Sequence, residues 1–433
     1  MKINKIFIKN FRCFDEISVD FDPHLNVFVG VNGSGKTTIL SALRIASGSF
    51  FLGLNQQVEK QIGISDNDVR VVNYSSNFES KLPVTITTNG KVNGKSGEWK
   101  REKQKQTLHA KTHYKDALFI KQEANKLADS VVQNGKDVKL PIIAYYSTER
   151  LNIDTKAAQS DEIMGSRLRG YFNSLQFFSN RKGFENWFTQ QELARIQSIQ
   201  RREEKPFDHL ELVRRCLINC IPECKDIYAD FTSNKMTMTF NDGSRQPFDN
   251  LSDGVLVMLT LISDIAYRCV LLNPSMGINA NETEGIILID EIELHLHPSW
   301  QRHVISDLRK GFPNIQFFIS THSPQVVSTV PRESLYIIKD IVRDGQNLKE
   351  IEKGDTFIEG RDSNAILADV FGIDKRPFEF AQELGAFYKY LEEENLSLAQ
   401  TIFNDLKDKW GENDTDILRA SLYLKDLKNE LAV

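Results

Sequence analysis

An α/β fold, in which a P-loop strand–loop–helix unit sits in a mixed sheet, is what the sequence predicts, and three observations carry it. Residues 25–47 read as an apolar run, a glycine-rich loop and a helix with Ile39, Leu43 and Ala46 along one face. Residues 286–321 read as two compact apolar runs, IILIDE and IQFFIST, separated by the helical PSWQRHVISDLRKGF, the strand–helix–strand pattern of a parallel sheet. Turn-rich short strands and charged helices lie between the two blocks. This unit is therefore expected in two sequence halves, 1–50 and 250–345, around an inserted α+β/helical region at 51–249, with a helical, acidic C-terminal region over 346–433.

The chain opens on alternating apolar and polar residues (Ile6, Ile8, then Phe11), and the run Leu25 to Val29 stops at Gly30, giving two strands with a turn after the second. From Asp68 to Lys100 short strands are punctuated by TNG at 88–90 and NGKSG at 93–97, which predicts an antiparallel layer. Residues 91–139 hold twelve Lys or Arg against six Asp or Glu, a net of +6. Such a segment reads first as a solvated helical face, and second as a phosphate-backbone or partner contact. LPIIAYYSTER (140–150) reads as a buried strand and a turn, 160–225 as mostly helical, and MTMTF and RQPFD as a hairpin around NDGS, whose Asp-Gly favours positive φ. LSDGVLVMLTLISDIAYR is a loop opening an apolar helix. Residues 378–433 carry twelve acidic and six basic side chains with helical periodicity, a separate acidic tail. The charged helix candidates, such as Gln190 to Lys205, span about two heptads each, which excludes a long coiled-coil arm.

With 433 residues, 40% of them hydrophobic and 26% charged, the composition is that of an ordinary globular protein. No apolar run approaches the roughly 18 residues of a membrane-spanning helix, so no membrane role is expected. The opening MKINKIFIKNFRCF lacks a signal-peptide core, which points to the cytoplasm. A formal charge of −5 requires any nucleic-acid contact to come from a local patch. Five cysteines without an export signal argue for reduced thiols. Cys216, Cys220 and Cys224 have metal-ligand spacing, but Pro222 interrupts the helix and no fourth ligand is near, so buried apolar thiols are expected.

The chemistry concentrates in four motifs. Gly30-Val31-Asn32-Gly33-Ser34-Gly35-Lys36-Thr37 fits GxxxxGK[ST] in full. Its glycines let the backbone N–H groups of Asn32, Gly33, Ser34, Gly35 and the helix start, through Thr38, converge on phosphate. Lys36 is placed to reach the β and γ phosphates of ATP, and Thr37 to ligate Mg²⁺. IILIDE ends a strand with Asp290 and Glu291, where a parallel sheet presents its ligand edge. Asp290 is expected to hold Mg²⁺, and Glu291 to act as general base on the attacking water. Ser252 and Gly254, in Leu251-Ser252-Asp253-Gly254, open an apolar helix. A chain that already owns one phosphate cradle uses a second most simply on the ATP of another subunit. FFISTHSP places His322 directly after a strand, within reach of a γ-phosphate.

These four motifs together resemble the ABC-type ATPases of the repair and defence class, including RecF, SMC-like heads and the overcoming-lysogenization-defect (OLD) proteins. The order of P-loop, signature, acidic strand end and switch histidine is the family's. The specific motifs cover about 1–50 and 250–330. The resemblance implies an ABC-type P-loop ATPase head of the AAA family, with Lys36 and Thr37 on phosphate and Mg²⁺, Ser252 acting in trans, and His322 sensing the γ-phosphate. It also implies Arg12, in NFRCF, near the nucleotide. ABC-type transporters carry a similar set, but no membrane domain is expected here. Such heads often complete the metal site with a glutamine after a middle strand; the matching place reads YYSTER, with Tyr146, Ser147 and Thr148 as the substitutes available.

YYSTER, DEIELHLHPSWQ, THSPQVV and GRDSNAILADVFGIDKRP closely resemble the PtuA-like ATPase subunit of Septu anti-phage systems and related retron-associated ATPases. That resemblance implies a head-to-head dimer or higher oligomer around ATP. It further implies a separately encoded HNH-type, PtuB-like nuclease whose cutting of DNA is controlled by nucleotide state. The alternatives are a stand-alone RecF/SMC-like repair ATPase and an OLD-like ATPase with its own TOPRIM-type nuclease. TFIEGRDSNAILADV (356–370) resembles the start of a TOPRIM domain, with Glu359 and Asp362 as acids. No later apolar run supplies its remaining strands. His295, His297 and His303 invite a metal reading, but alternating polar residues in an interface-facing loop need only hydrogen bonds.

Overall fold

The computed structural model describes the chain apart from residues 55–61, 75–76, 106–111, 113–114, 135–137, 150–165, 177–180, 204–206, 344–345, 355–357, 373–375, 377 and 431–433. Arg150 of YYSTER, most of the DKRP that ends the last resembling motif, Lys205, and part of the basic 91–139 segment therefore lie outside the described residues. The chain divides into two compact units, Met1–Arg361 and Asp362–Val433.

The first unit is organised by a six-stranded sheet in the order Gln346–Lys353, Leu335–Arg343, Leu25–Val29, Ile315–Thr321, Gly285–Ile289, Ile142–Tyr146. All neighbours are parallel except the first pair. The runs LNVFV, GIILI and IQFFIST are buried along their whole length, because a parallel sheet covered on both faces has no solvent side to reserve for polar residues. The register sets Val29 against Thr321 and Ile289 against Ile319, so the P-loop, His322 and Asp290 leave neighbouring strands at the same edge.

A second, antiparallel sheet in the order Phe14–Asp20, Lys2–Phe11, Val84–Val92, Lys95–Lys103 lies across the P-loop helix Lys36–Gly48. Ile39, Leu40, Ala42, Leu43 and Ala46 of that helix are fully buried, and the Trp99 indole N–H donates to the Ala46 carbonyl at 3.0 Å. The boundaries expected from the sequence shift accordingly. Strand 84–92 pairs with Lys2–Phe11 and carries strand 95–103 on its other side, strand 142–146 pairs with the acidic strand, and strand 346–353 pairs with 335–343. The regions 51–249 and 346–433 thus each give strands to the head. Sequence separation hides these pairings, which bury apolar faces that neither partner could bury alone. The hairpin expected at NDGS forms, with Gly243 at φ 86°.

The helix Asp253–Leu272 corrects a second expectation. It is 20 residues long with a mean hydropathy of 2.0, apolar enough to span a bilayer, yet 89% of that stretch is buried inside the protein. It is a core helix, and its apolar character reflects contact on all sides. Inside it Asp264 and Arg268 are paired at 2.7 Å, with exposures of 3% and 5%. Asp264 also accepts from the Tyr146 hydroxyl at 2.8 Å, and Arg268 donates to the carbonyls of Gly170 and Phe172. Asp264→Ala should lower unfolding stability by about 3–5 kcal/mol, since it strands a buried guanidinium. Chemical denaturation measures this, and a loss below 1 kcal/mol would show that water already solvates the pair.

Cys216 and Cys220 lie on the helix Asp208–Cys220 and Cys224 opens the next strand; all three are buried and free. Burial pushes the Cys216 and Cys224 thiols up to about 12, and raises Cys220, Cys269 and, less completely buried, Cys13. A raised thiol pKa leaves little thiolate at neutral pH. An aromatic disulfide reagent at pH 8 should therefore modify at most Cys13 rapidly in the folded chain, and all five thiols after denaturation.

The second unit consists of the helices Ser363–Phe371, Phe378–Glu392, Leu396–Trp410 and Thr415–Glu430, with Phe380, Phe387, Phe403, Leu406 and Leu424 in its core. Arg376 bridges Asp414 and Asp416 at 2.8 Å each. Asp362 caps the first helix by accepting from the N–H groups of Asn364 and Ala365. Among the described residues no strand follows it to bring a second carboxylate alongside.

Candidate functional site

The P-loop runs from strand Leu25–Val29 into helix Lys36–Gly48. Gly35 has φ 117°, and a Cβ there would lie 2.9 Å from both Cys13 Sγ and Phe14 Cζ, so only glycine turns the chain into the helix at this spacing. No side chain caps the helix and no acidic residue occupies its first turn, which leaves the N–H groups of Lys36, Thr37 and Thr38 and the positive end of the dipole for an anion. Asn32 and Gly33 are exposed at the tip, while Ser34 is buried at 1% with its hydroxyl unpartnered. The Lys36 ammonium folds back over the loop, donating to the carbonyls of Gly30 at 2.8 Å and Val31 at 3.1 Å. Its pKa is lowered, chiefly by burial, against the opposing fields of Glu291, Glu293 and Asp290.

Asp290 follows the acidic strand and is 3% exposed. Its Oδ1 accepts from the Thr37 hydroxyl at 3.2 Å and the Ser320 hydroxyl at 2.5 Å. The structure thus brings together the P-loop threonine and the acidic strand end, 253 residues apart in sequence. Glu291 is half-buried with φ 47°, a left-handed conformation a non-glycine residue rarely adopts, and its N–H is held by Ser320 Oγ at 2.8 Å. His322 leaves the neighbouring strand with its ring 47% exposed; one oxygen of Glu293 accepts from its N–H at 2.6 Å and lies 2.9 Å from its Nδ1. Sequence reasoning missed Ser320 and Glu293. The only signal was their place, one at a strand end and one in the acidic motif.

Arg12 lies beside the same helix. It is bound to Asp68 at 2.7–2.8 Å, donates to Ser41 Oγ at 3.3 Å, and Ser41 in turn donates to the Thr37 carbonyl. Of the substitutes at YYSTER, Tyr146 is committed elsewhere. Its hydroxyl donates to Asp264, and burial, then Asp264, pushes its pKa well above the ordinary value. Ser147, 4% exposed, is next in register and level with Asp290, whose N–H donates to the Tyr146 carbonyl; Thr148 is exposed.

Ser252 is exposed at the start of the helix Asp253–Leu272, and its side chain makes no capping bond. A Cβ on Gly254 would meet the His295 carbonyl at 2.8 Å, so glycine lets this helix start pack on the loop after the acidic strand. No hydrogen bond joins Ser252 or Gly254 to residues 30–38 among the described residues. His295 and His297 are exposed on that loop, and His297 caps a short helix through Ser299. No group of three or more His, Cys, Asp or Glu side chains capable of holding a metal occurs among the described residues.

A phosphate-binding loop, an uncapped helix start and a buried acid at the ligand edge of a parallel sheet define a P-loop ATPase head. The chain belongs to the AAA ATPase domain family, whose model matches residues 1–327. It is 28% identical over 500 aligned positions to the Retron Ec83 probable ATPase of Escherichia coli, covering 98% of this chain and 87% of that protein. It is 26% identical to the Septu protein PtuA of Bacillus thuringiensis, covering 91% and 90%. Among solved structures it is similar to the SMC head domain from Thermotoga maritima, at a TM-score of 0.43 and 13% identity, over 82% of this chain and 100% of that one. The chain is an ATPase of this family.

Gly35→Ala should weaken binding of a fluorescent ATP analogue by roughly tenfold or more, from strain of about 1–3 kcal/mol in the phosphate cradle, with the fold retained. An unchanged affinity would mean that the loop relaxes without glycine at 35.

Proposed function

We propose that the chain is the ATP-hydrolysing subunit of an anti-phage defence complex, closing head to head on a second copy around ATP and controlling a separately encoded HNH-type, PtuB-like nuclease that cuts DNA. Near full-length similarity to proteins named for a retron and for Septu supports the defence setting. The observation that carries the composite site is the separation of its parts. Lys36, Thr37, Asp290, Glu291 and His322 leave one sheet edge, whereas Ser252 and Gly254 open another helix whose exposed serine is unused within its own copy.

In this reading the N–H groups from Asn32 to Thr38 cradle the phosphates, Lys36 turns its ammonium from the loop carbonyls to the β and γ phosphates, and Arg12 flanks the helix. Thr37 and Asp290 are hard oxygen donors 3.2 Å apart, which suits Mg²⁺ with phosphate and water completing its shell, and Ser147 stands level with Asp290. An ion held there would supply charge neutralisation for the phosphates. Glu291 accepts the proton of the water that attacks the γ-phosphorus as the bond to the departing ADP oxygen breaks. His322 contacts the γ-phosphoryl group from the neighbouring strand. Ser252 and Gly254 of a second copy close over its far side. The acidic 378–433 unit is the surface offered to the nuclease, and DNA is reached through the complex.

Glu291→Gln should abolish turnover while retaining ATP, and light scattering should show ATP-dependent dimers that persist. The decisive test mixes two inactive variants, Lys36→Ala and Ser252→Arg. Regained ATPase activity on mixing requires a site shared between copies, and no regain would remove the head-to-head reading while leaving the ATPase intact.

A further inference from the structure

The geometry points to Glu293 as a positioning residue for His322, an assignment that rests on the proposed role of that histidine. Glu293 is 7% exposed, two residues past Glu291. A single carboxylate oxygen, Oε1, accepts the His322 backbone N–H at 2.6 Å and lies 2.9 Å from ring Nδ1. Backbone and ring are thereby pinned to one point, which removes the rotation that would otherwise let a 47%-exposed imidazole swing free. Oε1 already accepts from the backbone N–H, so in this pair the hydrogen is assigned to Nδ1. Nε2 is then the ring nitrogen left for a ligand, in whichever charge state the ring takes.

A simple turn-capping role does not account for all of this. Capping the His322 N–H would need one oxygen and no contact with the ring, and an exposed Asp or Ser would serve. Here a glutamate is buried to make the ring contact, and its second oxygen, Oε2, is buried with no hydrogen-bond partner. Leaving a carboxylate oxygen unsatisfied is unfavourable, and such outliers concentrate where function holds them. The same short loop carries the left-handed φ of Glu291, so the proposed base and the histidine's anchor are set by one backbone path. Glu293 touches no reacting atom in this account; apart from its field at Lys36, its contacts act through His322.

The test uses the full chain and steady-state ATPase assays. Glu293→Ala should lower kcat by roughly tenfold to a hundredfold with KM and nucleotide affinity little changed, the range typical of residues that orient a functional histidine. Glu293→Gln, which keeps an acceptor oxygen, should recover most of the loss. In a His322→Ala background Glu293→Ala should have no further effect. Nitrogen-15 spectra of labelled histidine should show His322 protonated at Nδ1 in the parent and a tautomer mixture in Glu293→Ala. Equal losses in both backgrounds, or an unchanged tautomer, would overturn the assignment in favour of a structural role. Full activity of His322→Ala alone would instead retire the histidine reading, and with it the need for a positioner. If Glu293→Ala fails to fold, Glu293→Met, which fills similar space without an acceptor oxygen, takes its place in the same tautomer spectrum and double-substitution comparison.

Discussion

A carboxylate buried at the end of a parallel strand is the constraint on which the site depends. Asp290 at 3% exposure is tolerable only while donors face it, and it has the hydroxyls of Thr37 and Ser320. One comes from the P-loop helix and the other from the neighbouring strand, so the carboxylate fixes the height of both relative to its own strand. Lys36, 6% exposed, presents the complementary problem, and it is met by loop carbonyls and by the fields of three nearby acids. Two desolvated charges of opposite sign are thus held close but not in contact. Such an arrangement contributes little to stability by itself. It is a preorganised environment for a polyanion, in which a ligand replaces internal contacts with stronger ones.

The same constraint shapes the backbone around it. The helix start can approach the acidic strand only if residue 35 lacks a side chain, because Cys13 and Phe14 of the antiparallel sheet already fill that space. On the other side the chain leaves Ile289 and must reverse at once. Glu291 at φ 47° and His295 at φ 62° accomplish this within five residues. Strain of about 1–3 kcal/mol at each left-handed residue is sustained by the Ser320 contact on Glu291 and the packing of the His295 carbonyl against Gly254.

The parts legible in the sequence are those whose information is local. GVNGSGKT, IILIDE and IQFFIST each declare an element within a dozen residues, and in the fold the P-loop threonine and the acid lie 3.2 Å apart. What could not be read is partner choice across the fold. Asp290 and Ser320 are 30 residues apart, Arg12 and Asp68 are 56 apart, and Tyr146 and Asp264 are 118 apart; polar residues at such distances carry no mark of one another. Strand partners were hidden for the same reason, since the strands at 84–103, 142–146 and 346–353 join sheets with members that lie far along the chain. The apolar helix at 253–272 is legible in the sequence, but the pairing by which its Asp264 and Arg268 neutralise one another shows only in the fold.

That buried pair also bears on how the proposed closure would work. Asp290 N–H binds the Tyr146 carbonyl, the Tyr146 hydroxyl binds Asp264, and Asp264 sits three turns into the helix that Ser252 opens. With Arg268 tied to Gly170 and Phe172, this chain of bonds locks that helix to the acidic strand through groups that have no water to fall back on. Movement of Ser252 relative to its own P-loop would break several buried bonds at once. The sheet edge at Asp290 and the helix Asp253–Leu272 of one copy are therefore tied together by buried bonds. A site composed from two copies is then most readily made or unmade by movement of one whole head against the other, with the interior bonds left intact.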